Sequence, residues 1–144
     1  MKHFLSLLAF VIITFATQGT SHMLINIEHY EALGFLRAEP IFLLGFIAML
    51  IQGTIMTGCL HLLAPEGATI RLGLIVSLGF GLFLSSYISF ASPAKYAVPS
   101  IWEWIAVELS VSAIQFIVFG IALGFIHSLF NAKTRVEFKE EFKT

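Results

Sequence analysis

The chain has 144 residues, 58% hydrophobic and 12% charged, with a net charge of −1. Soluble domains run at ~45–50% apolar and ~25% charged, so this composition excludes an ordinary soluble domain, and nothing in it resembles the basic footprint of a nucleic-acid binder. The single cysteine, Cys59, excludes an intramolecular disulfide and a cysteine-based zinc site.

The N-terminal segment MKHFLSLLAFVIITFATQGTSH supports two readings. Lys2 and His3 followed by the apolar run Phe4–Ala16 have the form of a signal peptide, with Thr14 and Ala16 as small residues near a cleavage site. The same residues, from Phe4 to about Ser21, are just long enough for a spanning helix if Thr14, Thr17 and Gln18 face other helices.

Residues 22–40 follow as a patterned connector. Met23, Ile27, Tyr30 and Leu33 recur at helical spacing, which predicts an amphipathic helix lying on the membrane surface. Arg37 is the nearest cation in sequence to approach Glu103 or Glu108.

Three predominantly apolar stretches then match the ~20 residues needed to cross a bilayer: about 41–63, 71–91 and 101–130. Pro40 suits the start of the first. Pro65, Glu66 and Gly67 form a tight reversal before the second. Pro93 and Pro99 bracket the turn before the third, which opens on Trp102 and Trp104, rings that favour a membrane interface. Gly120 and Gly124 form a G-x-x-x-G pair, the spacing that lets helix backbones approach closely in lipid.

The expectation is one all-α integral-membrane domain over residues 1–144. It is a polytopic bundle of four transmembrane helices, or three if the first segment is a removed signal peptide. Lys2, Arg71, Lys133, Arg135, Lys139 and Lys143 would lie on one side, against Arg37 and Lys95 on the other. By the positive-inside rule the C-terminal tail 131–144 is cytoplasmic, in a bacterial-type inner membrane, with 22–40 and 92–100 outside.

One carboxylate, Glu108, lies inside an apolar run. It sits ~6–9 Å below the Trp pair at ~1.5 Å per residue, with Ser112 and Gln115 on the same helix face. Gln52, and the i, i+4 pair Ser85 and Ser89, come to a similar depth on the other spans. A charge at the helix centre costs ~2.5–3.5 kcal/mol on insertion scales, and less near the interface. This layer is therefore either a substrate or ion site or a hydrogen-bonded tie between helices. The histidines raise a metal or haem question: His22 and His29 fall toward one face of the membrane, His61 and His127 toward the other. Their positions at the edges make them poor ligands, and no cofactor is expected. No nucleophile or nucleotide motif argues for an enzyme. The leading expectation is a structural or accessory membrane protein that meets lipid, other membrane subunits or a second copy of itself. The alternatives are a small oligomeric transporter or channel built on the Glu108 layer and, more remotely, a haem redox protein.

Overall fold

A backbone in hydrocarbon must satisfy its own N–H and C=O groups, and a helix does so within one segment. In a computed structural model the chain folds accordingly. The structure describes residues 1–141 except 35, 36 and 38, and for residues 131–141 only the backbone. Helix α1 spans Lys2–Thr20 and widens into a π-helical turn at Ser21–Ile25. A short α2 follows at Ile27–Glu31. Helices α3 (Phe42–Leu63) and α4 (Ile70–Ser86) are joined by a tight reversal, and α4 ends in a second π-helical turn, Tyr87–Ala91. The last helix, α5, runs from Ile101 to Glu141.

With their π-turns included, four helices are long and apolar enough to cross a membrane: Lys2–Ile25, Phe42–Leu63, Ile70–Ala91 and Ile101–Phe130. They match the spans read from the sequence to within a few residues. The helix continues past Phe130 as expected, but the side chains of the basic tail lie outside the described residues.

Local chemistry sets the breaks. Gly67 adopts φ 150° and donates its N–H to the Ala64 carbonyl at 3.2 Å, a conformation that a side chain would strain. Thr69 then caps α4, its hydroxyl accepting from the Leu72 N–H at 3.2 Å.

Helix α5 is the central element. Helix α4 packs along one side of it, α1 along another, and α3 leans mainly on α1 with a lighter contact to α4. The core holds Phe10 from α1, Met49, Met56 and Leu60 from α3, Val76 from α4, and Phe116, Phe119 and Leu123 from α5. The N-terminal segment is thus a fourth helix of the bundle. Its Phe10 is 0% exposed and meets Phe119 edge to face at 4.8 Å between ring centroids.

The α4–α5 contact is made at backbone level. A Cβ on Gly73 would stand 2.5 Å from both the Gly120 carbonyl oxygen and the Gly124 nitrogen, and one on Gly124 would stand 2.5 Å from the Ile70 Cα. The G-x-x-x-G pair is therefore used within the chain. Between apolar helices in lipid there is no hydrophobic drive to associate, so close approach supplies the attraction. Ser77 adds a directed tie, donating to the Phe116 carbonyl at 2.6 Å. Around this core the surface is apolar, with Phe4, Ile12, Leu43, Leu62, Phe83, Ile114 and Phe125 all exposed. A water-facing bundle would reverse that pattern.

Candidate functional site

The tryptophans mark one end of the bundle, and three histidines mark the other. At the tryptophan end, Glu108 is 5% exposed and its partner is Tyr30, whose phenol donates to Oε1 at 3.0 Å. The phenol has one proton, so the Ser21 hydroxyl, 3.4 Å away, donates to the phenol oxygen. The Asn26 amide in turn donates to Ser21 Oγ at 2.9 Å. The result is a directed chain from Asn26 through Ser21 and Tyr30 to the carboxylate. Burial above all raises the Tyr30 pKa above the ordinary phenol value, the Glu108 charge adds to the rise, and the Ser21 hydrogen bond opposes it. The phenol therefore remains a donor at ordinary pH. Because its folded pKa is raised, its effect on stability is constant below about pH 10 and turns unfavourable only above it.

Aromatic rings seal this network. His22 stacks on Tyr30 at 3.7 Å between centroids, and His29 stacks on Trp104 at 5.1 Å. Trp104 is 7% exposed and donates Nε1–H to the Ile88 carbonyl at 2.9 Å, within the π-turn of α4. In that turn the Ser92 N–H reaches back five residues to Tyr87, so the regular ladder is broken there and Ile88 is open to a side-chain donor.

These contacts revise three expectations. Arg37 is exposed, and a neutral phenol rather than a cation partners the carboxylate. Tyr30 and Leu33 turn in over the bundle end instead of lying flat, because Trp104 and Val98 give those two side chains an apolar seat. Only Trp102, 81% exposed, points outward; Trp104 turns into the packed end.

A second polar tie lies deeper. Gln115 accepts from Gln18 Nε2 at 2.8 Å and donates its own Nε2–H to Thr14 Oγ1 at 2.9 Å. Both partners are on α1, so this amide pins α5 to the first helix.

Beside these ties runs a groove of about 1220 Å³. The end of α1, α3 from Pro40 to Gln52, α4 with its π-turn from Phe83 to Ala91, and the α5 residues Ser112, Gln115 and Phe116 line it. Of the six residues expected to form one polar layer, Gln52, Ser85, Ser112 and Gln115 meet on this groove, whereas Glu108 and Ser89 do not line it. Ser89 is fully buried, and its hydroxyl has no partner among the described residues. The π-turn starting at Tyr87 changes the angular step along the helix and turns Ser89 off the face of Ser85.

At the opposite end, His3, His61 and His127 converge from α1, α3 and α5. His3 meets His61 at 5.0 Å and His127 at 5.5 Å, both edge to face. His22 and His29 each stack on an aromatic ring instead of facing one another, and Glu28, His29 and Glu103 border a hollow of only about 140 Å³. Among the described residues no three His, Cys, Asp or Glu side chains are grouped so as to hold a metal ion.

The sequence carried no signal for Tyr30 as the carboxylate's partner, since the two are 78 positions apart, nor for His3 as the hub of the histidine contact. Thr14 and Gln18 were legible as polar residues of α1 needing partners, which Gln115 supplies. Compared with protein families, curated proteins and solved structures, the chain has no significant match.

Proposed function

We propose that the chain is a small multi-pass membrane protein of the accessory kind. In this reading it is a rigid bundle that receives another membrane component in its lateral groove and does not itself move a solute across. The observation that carries the reading is the closure of Glu108. An ion-coupling carboxylate needs an approach for its ion, whereas this one is buried and held by Tyr30, and the Tyr30 ring is covered by His22. The groove also has a packed floor. Between it and the histidine end lie Phe10, Met56, Phe116 and Phe119, all buried. The bias of Lys and Arg in the sequence supports an outer position for the tryptophan end.

Flux measurements decide between binding and transport. The purified chain in liposomes is expected to pass protons, Na⁺ and K⁺ no faster than protein-free vesicles. A saturable flux that Glu108→Gln abolishes, with the fold intact, would overturn the accessory reading in favour of a transporter.

The tie itself predicts an order of stabilities. Tyr30→Phe removes the donor to a buried carboxylate and is expected to cost about 1–3 kcal/mol in reversible unfolding from detergent. Glu108→Gln keeps an oxygen able to accept from Tyr30 and is expected to cost less than about 1 kcal/mol. The reverse order would show that Glu108 serves something other than this hydrogen bond.

A further inference from the structure

We infer that the groove seats one outer-leaflet phospholipid with an anionic head. The head stays at the tryptophan end beside Lys95 and Tyr87, and an acyl chain runs inward between α3 and α4. This names the component that the accessory reading calls for, and it rests on the groove being the binding surface of that reading.

The first observation is where the groove lies. Helices α3 and α4 are joined at one end by the reversal at residues 64–69 and touch only lightly. At the other end they part. The groove fills that gap, between the first half of α3 and the end of α4, with α5 as its back wall. It starts at Pro40 and stops at Gln52, the eleventh of the 22 residues of α3. Its floor is therefore near the middle of the membrane. From Pro40 to Gln52 is roughly 18 Å at ~1.5 Å per residue, close to the ~15 Å of one leaflet, half of a ~30 Å core. A spanning helix of a partner needs the whole core, whereas an acyl chain needs one leaflet.

The second is how the polar groups on the walls are spent. Gln115 bonds both Thr14 and Gln18. His22 holds the Gln18 carbonyl through Nδ1 at 2.9 Å. Ser86 donates to the Phe83 carbonyl at 2.8 Å, and Ser85 reaches the Leu82 carbonyl at 3.5 Å. These groups are taken up by the protein itself. The rest of the wall is largely apolar, with Phe15, Phe42, Met49, Phe83 and Phe116, and no Asp, Glu, Lys or Arg is in it. Such a wall accepts hydrocarbon without stranding those donors. Gln52, half-buried, borders the floor, where the chain ends.

The third is the mouth. The two π-turns open onto it, through His22 and Met23 on one side and Tyr87 to Ala91 on the other, and π-turns recur at functional sites. Lys95 is exposed, with its ammonium 3.5 Å from the Tyr87 hydroxyl and 5.2 Å from the centre of that ring. It has no carboxylate partner among the described residues. The Tyr87 hydroxyl accepts from Lys95, so it keeps its own proton for an oxygen of the ligand. Arg37 and Glu39, on the connector that leads to Pro40, are both exposed and offset one another in charge. The mouth thus offers one net positive charge and a phenol donor, the complement of an anionic head.

Native mass spectrometry of the detergent-solubilised full chain tests this, with titration by dimyristoyl phosphatidylglycerol, by the phosphatidylcholine of the same chains, and by inorganic phosphate. One phosphatidylglycerol per chain is expected, bound saturably and about fivefold tighter than phosphatidylcholine. Lys95→Gln should weaken phosphatidylglycerol about fivefold, the effect of one cation near a lipid head, and leave phosphatidylcholine unmoved. Gly45→Leu fills the groove from α3, and an added Cβ there meets nothing within 4 Å, so the fold is kept. It is expected to remove the complex with both lipids at an unchanged unfolding midpoint. If the midpoint falls, Ala48→Leu, exposed on the same wall, takes its place. Gln52→Leu should leave the affinity unchanged or tighter, because only the chain end meets it. The proposal is overturned by the absence of a saturable complex, by equal affinity for the two lipids, or by a complex that survives the filled groove. Inorganic phosphate binding as tightly as the lipid, or binding lost in Gln52→Leu, also overturns it, the latter because it puts a polar head at the floor. Those results leave the non-transporting reading standing, because flux alone decides it.

Discussion

Phe10→Ala is expected to destabilise the bundle by about 3–5 kcal/mol, the range for emptying a fully buried aromatic site. Phe10 is 0% exposed and sits where α1, α3 and α5 meet, with its ring against Phe119 and beside Phe116. Removing it leaves a void whose walls are held apart by helix backbones and cannot collapse. Reversible unfolding in mixed micelles, followed by circular dichroism, measures the loss. Phe10→Leu, which fills most of the volume, should recover more than half of it. If Phe10→Ala were neutral, α1 would not be an integral part of the bundle, and the removable-leader reading of that segment would be favoured.

Gly73→Val is the second large effect. The α4–α5 contact allows no Cβ at this position, because the nearest atoms are the backbone of Gly120 and Gly124 and not the ends of side chains that could swing away. The helices must separate, which loosens the longest contact in the molecule and strains the Ser77 bond to the Phe116 carbonyl. Overpacking typically costs about 1–3 kcal/mol, and a rigid backbone obstacle belongs at or above the top of that range. Gly79→Val, at a position with nothing within 4 Å of an added Cβ, is the control and should be near neutral. Equal effects from the two substitutions would mean that helix propensity, not the close approach, is being measured.

Much of this architecture was legible in the sequence, and for identifiable reasons. Spans are legible because hydrocarbon thickness fixes a length and excludes charge, and both show in a linear string. The four spans accordingly lie within a few residues of the helices. The G-x-x-x-G pair was legible as a contact but not as to its partner, since glycines recur on several helices; only the structure places Gly73 against it. The polar layer was half legible. Depth can be counted from the Trp pair, which put Gln52, Ser85, Ser112 and Gln115 at one level. Rotation about each helix cannot be counted through a π-turn, so Ser89 was misgrouped with Ser85. Glu108 was separated from its layer for another reason. Tyr30 and Leu33 of the segment expected on the membrane pack over it, and no periodicity within 22–40 specifies a seat supplied by Trp104.

The polar ties also bear on the order in which the protein can be made. Gln18 and Thr14 on α1 meet Gln115 across 97 and 101 positions, and Tyr30 meets Glu108 across 78. Chains emerge from the ribosome at about 5–20 residues per second. The first helix must therefore wait several seconds with its amide and hydroxyl unpaired by any later helix. Neither α3 nor α4 completes these ties; both wait for α5. The last spanning helix thus acts as a keystone, and until it enters the membrane the earlier helices form an arch that has not yet closed.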